Sequence, residues 1–166
     1  MPARAQSPRP GAASALMRYF LDTEYDGFAG RLISLALVPE DGGEELYLVI
    51  DGDITHPWVQ RHVAPFIDHV PEAHRGPRLS RDAAGSALAH WLAGDSGPEI
   101  IADWPEDLSQ LAMLLVSGPG EIHRVPPLTL RYVPLPGFST ARHSAVPHNA
   151  LHDARALRDH IMTHLD

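Results

Sequence analysis

Apolar residues fall into short runs divided by turn-forming clusters. Residues 17–25 (MRYFLDTEY), 31–40 (RLISLALVPE) and 45–52 (ELYLVIDG) each carry an apolar stretch of strand length. Between them lie DGFAG and EDGG, the Gly and Asp combinations that make tight turns. The pattern predicts three antiparallel strands. The interval changes in HPWVQRHVAPFIDHV, where Trp58, Val59, Val63, Phe66 and Ile67 recur at helical spacing until Pro65 intrudes. A proline lacks the N–H that a helix interior needs, so a short helix is expected there. SRDAAGSALAHWLAG predicts a second helix, opened by Ser80 as N-cap and stopped at Gly94. PEIIADWPEDLSQLAMLLVSG predicts a buried strand over residues 99–102 and a helix from about Pro105 to Val116. LTLRYVPL predicts one more strand, and VPHNALHDARALRDHIMTHLD a C-terminal helix entered through a Pro-His-Asn loop. The order is βββ-α-α-βα-βα, without internal repeats. Three antiparallel strands followed by α/β units predict an α/β fold with a mixed sheet covered by helices on both faces.

Composition narrows the class. A chain of 166 residues, 44% hydrophobic and 20% charged, suits one domain with a sizeable core, expected over residues 17–166. The opening MPARAQSPRPGAASAL has arginines and small residues but no continuous apolar segment. Residues 1–16 are therefore expected to be a disordered leader, with Met17 an alternative first residue. No apolar run approaches bilayer length, so a soluble protein without a membrane partner is expected, and the lack of cysteine agrees with an expected cytoplasmic location. The absence of cysteine excludes disulfides and thiolate metal sites, leaving oxygen and imidazole as metal donors. A net charge of −8 argues against a broad basic surface for nucleic acid. It does not exclude a nucleic-acid enzyme, because clustered carboxylates that bind divalent cations reverse the local sign where phosphate docks.

Candidate chemistry lies at the ends of the elements. Asp22 and Glu24 are two residues apart at the end of the first strand, so their side chains share one face and repel. Asp103 and Asp107 fall at a strand-to-helix junction, and Asp153 follows His148 at the start of the last helix. If the first strand is central, its end and the neighbouring helix starts meet in one cleft, the usual site of an open α/β sheet. Four carboxylates converging there need cations, and oxygen donors suit Mg²⁺ or Mn²⁺. Two such ions would stabilise the attacking and leaving oxygens of a phosphodiester. Taken singly, each feature has an ordinary explanation: a polar turn for Asp22 and Glu24, or first-turn acids answering the helix dipole for Asp103, Asp107 and Asp153. With eleven histidines in the chain, His143, His152, His160 and His164 are left outside the site. Trp58, Trp91 and Trp104 are expected in core or partly buried packing rather than as base-stacking platforms, and Arg155 and Arg158 on a solvated helix face, with phosphate contact a second reading.

Together these residues resemble the DEDDh class of 3′–5′ exonucleases in the RNase H-like superfamily. LDTEY resembles its first motif, Asp-x-Glu, through Asp22 and Glu24. IIADWPEDLSQL resembles the second through Asp107, although Asp103 stands where asparagine is common. PHNALHDARAL resembles the third, His-x-x-x-x-Asp, through His148 and Asp153. All three occur in order across residues 17–166. The likeness is nearest to small single-domain bacterial exoribonucleases of the mycobacterial type. It implies an RNase H-like fold, a homodimer, and hydrolysis of single-stranded RNA from its 3′ end to nucleoside 5′-monophosphates. It further implies two divalent cations, Mg²⁺ or Mn²⁺, held by Asp22, Glu24, Asp107 and Asp153, with His148 as general base. Thr23, Tyr25, Phe28 and Asp103 would lie beside the substrate. Three other activities stay open: an exonuclease on DNA or short oligonucleotides, a non-catalytic module binding nucleic acid or protein, and a small-molecule phosphodiesterase.

Overall fold

The computed structural model describes residues 16–164. Apart from Leu16, the leader expected over residues 1–16 lies outside the described residues. The first three runs form the meander that their turns predict: β1 (Arg18–Tyr25), β2 (Leu32–Pro39) and β3 (Leu46–Val49), each antiparallel to the one before. β4 (Glu99–Ala102) then lies parallel to β1 on its other side. Five strands thus form one mixed sheet in which β1 is central; its outermost member, Thr129–Tyr132, is named β7 below in chain order.

Alternation along β1 and β2 sorts the core into two layers. Tyr19, Leu21, Leu35 and Leu37, with Ile100 of β4, face a layer containing Leu88, Leu92, Leu111 and Leu114. Those leucines belong to α2 (Arg81–Leu92) and α3 (Pro105–Leu114). On the opposite face Phe20, Ile101, Ala36 and Val38 meet Leu151, Ala154, Leu157 and Ile161 of α5 (Ala150–His164). Helices therefore cover both faces, and β1 is apolar on both sides because neither sees water. Among the described residues, no helix is long and apolar enough to cross a membrane.

The helix ends follow local chemistry. Ser80 caps α2, its hydroxyl accepting from the Ala83 N–H at 3.2 Å. α1 (Pro57–His62) stops ahead of Pro65, and a single 3₁₀ turn, Ala64–Phe66, follows. α3 ends at Leu114, short of the expected Val116, because Val116–Gly118 becomes β5 and pairs with β6 (Glu121–Ile122). Gly120, at φ 72°, makes the turn between them. α4 (Thr140–His143) is one turn within the loop before the last helix.

Several side chains depart from their expected settings. Trp104, 57% exposed, lies outside the core or partly buried packing expected of it, whereas Trp58, 42% exposed, packs against His62 and His148. Arg155 is not simply solvated: its guanidinium grips Glu45 bidentately, at 2.8 and 2.6 Å. His74 joins the same carboxylate at 3.2 Å.

Candidate metal centre

Because β1, β4 and β7 are parallel, their C-terminal ends open on one edge of the sheet. A cleft of about 650 Å³ lies there, lined by Asp22, Glu24, Asp103, Asp107, His148 and Asp153 among others. The fold thus brings together all five residues of the expected catalytic set, plus Asp103.

Each acid arrives on a different support. Asp22 and Glu24 extend from β1 toward the α5 face, opposite Ala36 and Ser34 of β2. Between that pair and the next, Tyr25 with Leu32, β2 carries one extra residue, Ile33. Such a bulge increases the local twist and re-aims the strand end beside the site. Asp107 comes from the first turn of α3; its Oδ1 accepts from the Thr23 N–H at 3.2 Å and the Thr23 hydroxyl at 2.6 Å. Thr23, expected beside the substrate, is buried and commits both donors to Asp107. Asp153 stands in the first turn of α5, whose start is fixed by the buried Asn149. The Asn149 carbonyl oxygen accepts from the Leu151 N–H at 3.1 Å, and its amide donates to the Phe66 carbonyl at 2.8 Å.

The acids outnumber their donors. Asp22 Oδ2 and Asp153 Oδ1 are buried without a hydrogen-bond partner. Burial, followed by the charges of Asp107, Asp153, Glu24 and Asp103, pushes the Asp22 carboxyl well above the usual range. Burial and then Asp153 and Asp107 do the same to Glu24. Burial carries Asp107 to about 7 against the opposing hydrogen bonds from Thr23. Burial likewise carries Asp153 to about 6, although the nearby Ser144 side chain and the His148 N–H favour its charged form. Asp103 is raised by burial as well. Among the described residues no arginine lines the cleft, and the chain contains no lysine, so no arginine or lysine side chain described there compensates. A divalent cation would supply the missing positive charge. One ligand atom each from Glu24, His148 and Asp153 lie within 4.8 Å of one another. These donors, with the two unpartnered carboxylate oxygens, fit Mg²⁺ or Mn²⁺.

His148 occupies a left-handed backbone conformation, φ 61°, which places its imidazole over the cleft. The ring meets Trp58 edge to face at 5.0 Å, and Trp58 leans on His62 at 4.7 Å. Burial, assisted by the His62 charge, lowers the imidazole pKa. Trp58 thus buttresses His148, a contact that helical spacing alone could not reveal.

A smaller cleft of about 390 Å³ adjoins the first and includes Tyr25, Phe28, His56, Trp58 and Trp104. Phe28 stands at its rim, 95% exposed, while Tyr25 lines both clefts. Asp26 anchors the intervening loop: it accepts from the Thr55 N–H and hydroxyl, each at 2.8 Å, and from the His56 N–H at 2.9 Å. No protein-family model matches this chain, and no curated protein matches it.

Proposed function

We propose that this protein is a metal-dependent 3′–5′ exoribonuclease of the DEDDh type, built on an RNase H-like fold. The observation that carries this reading is the gathering of Asp22, Glu24, Asp107, Asp153 and His148 in one cleft, with two buried carboxylate oxygens lacking donors. The strand order β3-β2-β1-β4-β7, with the paired acids on the central strand, agrees with it. Asp22, Glu24 and Asp153 would hold the catalytic ion, and Asp22 and Asp107 a second. Bound Mg²⁺ or Mn²⁺ supplies neutralisation of the phosphate charge and stabilisation of the attacking and leaving oxygens.

The chain's own residues do the rest. Thr23 holds Asp107 in place through its two donors. His148, kept neutral by burial, accepts the proton of the attacking water on an imidazole nitrogen, and Trp58 restricts its swing. The preference for RNA and the homodimer rest on the likeness of the three motifs. The test is digestion of end-labelled single-stranded RNA and DNA of one sequence with Mg²⁺, Mn²⁺ or EDTA, beside Asp22→Ala. The expected result is a ladder shortening from the 3′ end, faster for RNA, dependent on metal and absent in the variant. No cleavage by folded wild-type protein with either metal would overturn the reading.

A second role for His148 is favoured by its nearness to Glu24 and Asp153: imidazole as a metal ligand. His148→Ala separates the two. A base variant loses turnover, by about a hundredfold or more, at unchanged metal affinity; a ligand variant binds metal more weakly and recovers activity at high Mn²⁺.

A further inference from the structure

Trp104 lines both clefts, which also share Thr23, Glu24 and Tyr25, so its ring stands on the ridge between them beside the acids. It is 57% exposed, and its indole and the Glu106 carboxylate both lie beside the Tyr25 hydroxyl. Glu106 in turn accepts the Ala29 N–H at 2.9 Å, pinning the loop after β1. At the foot of the ring, Pro105 begins α3. A large aromatic ring so placed offers the cleft a stacking surface. The main cleft meanwhile continues past Asp103 to Tyr132 and the wall from Pro134 to Ala141. Among the described residues no arginine lines it, so beyond the phosphate that the metal ions would hold, a strand lying there is gripped chiefly through its bases.

We propose that Trp104 is the stacking platform for a base of single-stranded nucleic acid lying in the main cleft. The proposal rests on the exonuclease reading for the direction of the strand, but stacking itself is measurable without cleavage. Two consequences follow from physics. Stacking tolerates any base, so sequence preference is weak. Few counterions are released from phosphates, so affinity falls little with added salt.

The experiment uses the full chain as wild type, Trp104→Ala and Trp104→Phe. It measures KM and kcat on labelled single strands of increasing length with Mg²⁺. It also measures binding of the same strands by fluorescence anisotropy with Ca²⁺ in place of Mg²⁺. Trp104→Ala is expected to raise KM and Kd about tenfold or more, with Trp104→Phe recovering most of the loss. Raising KCl from about 50 to about 200 mM should change wild-type Kd by less than about threefold, where three arginine–phosphate contacts would give roughly eighteenfold. Equal KM and Kd for wild type and Trp104→Ala would overturn the proposal, as would a wild type that binds no strand. A wild type that cleaves nothing, yet whose strand affinity falls in Trp104→Ala, would remove the exonuclease reading and sustain the platform. Cleavage unaffected by Trp104→Ala would do the reverse.

Discussion

Asp22 is buried among like charges, with one carboxylate oxygen that no donor reaches. A fold keeps such a group at a cost in stability, so removing its charge should make the metal-free protein firmer. Asp22→Asn is expected to raise the melting temperature in EDTA, by about 1–2 kcal/mol of stability, while abolishing cleavage. Adding Mg²⁺ or Mn²⁺ should raise the wild-type melting temperature, by about 2.7 kcal/mol at a hundredfold excess over Kd, and leave Asp22→Asn nearly unmoved. Thermal unfolding with and without metal checks both; an Asp22→Asn protein less stable than wild type in EDTA would count against a strained acid cluster. At this scale the sequence was informative about acids and silent about aromatics. Asp22 and Glu24 announce themselves because residues two apart on a strand must share a face. Trp58 and Trp104 do not, because helical or junction position fixes where a ring starts and not whether another element covers it.

Within elements, the start of α5 controls the site. Asn149 both caps that helix and ties it to the turn at Ala64–Phe66, and the residues on either side carry His148 and Asp153. Asn149→Ala removes the cap and the tie to the Phe66 carbonyl, which keeps the His69 N–H, so it should cost about 1 kcal/mol in urea unfolding. Activity should fall beyond the fraction unfolded, since both flanking residues lose their setting; full activity in the folded fraction would show that the cap is structural only. The major strands and helices were legible because each carries its own period and its own end signals, as Ser80 does for α2. The β5–β6 hairpin and α4 were not. Leu114, Leu115 and Val116 continue the apolar pattern of α3, and elements of two to four residues are too short to display a period.

Across the molecule, Glu45 binds distant parts of the chain together. It precedes β3 and receives Arg155 from α5 and His74 from the turn at Glu72–His74. Burial works to raise its pKa, but the hydrogen bonds and charge of Arg155, joined by His74 and Arg158, hold it below the usual range. A carboxylate whose folded pKa is depressed adds stability that is fully present above its unfolded value, about 4.3, and is lost as pH falls through the folded value. Glu45→Gln should therefore cost about 1 kcal/mol at pH 7 and flatten the loss of stability below about pH 4. Urea unfolding at several pH values tests this, and parallel curves for the two proteins would show that the pair is energetically neutral.

By itself the sequence determined the major α/β elements, their order, and the positions at which acids and His148 stand on strand ends and helix starts. Those follow from interactions between residues a few places apart: backbone period, turn chemistry and capping. Only the tertiary structure decided that β1 lies between β2 and β4, and that Asp107 leans on Thr23 across 84 positions of chain. It likewise decided that Trp58 buttresses His148 while Trp104 stands uncovered between two clefts. These depend on which faces pack together once the core closes, a matter of long-range burial that no local spacing encodes.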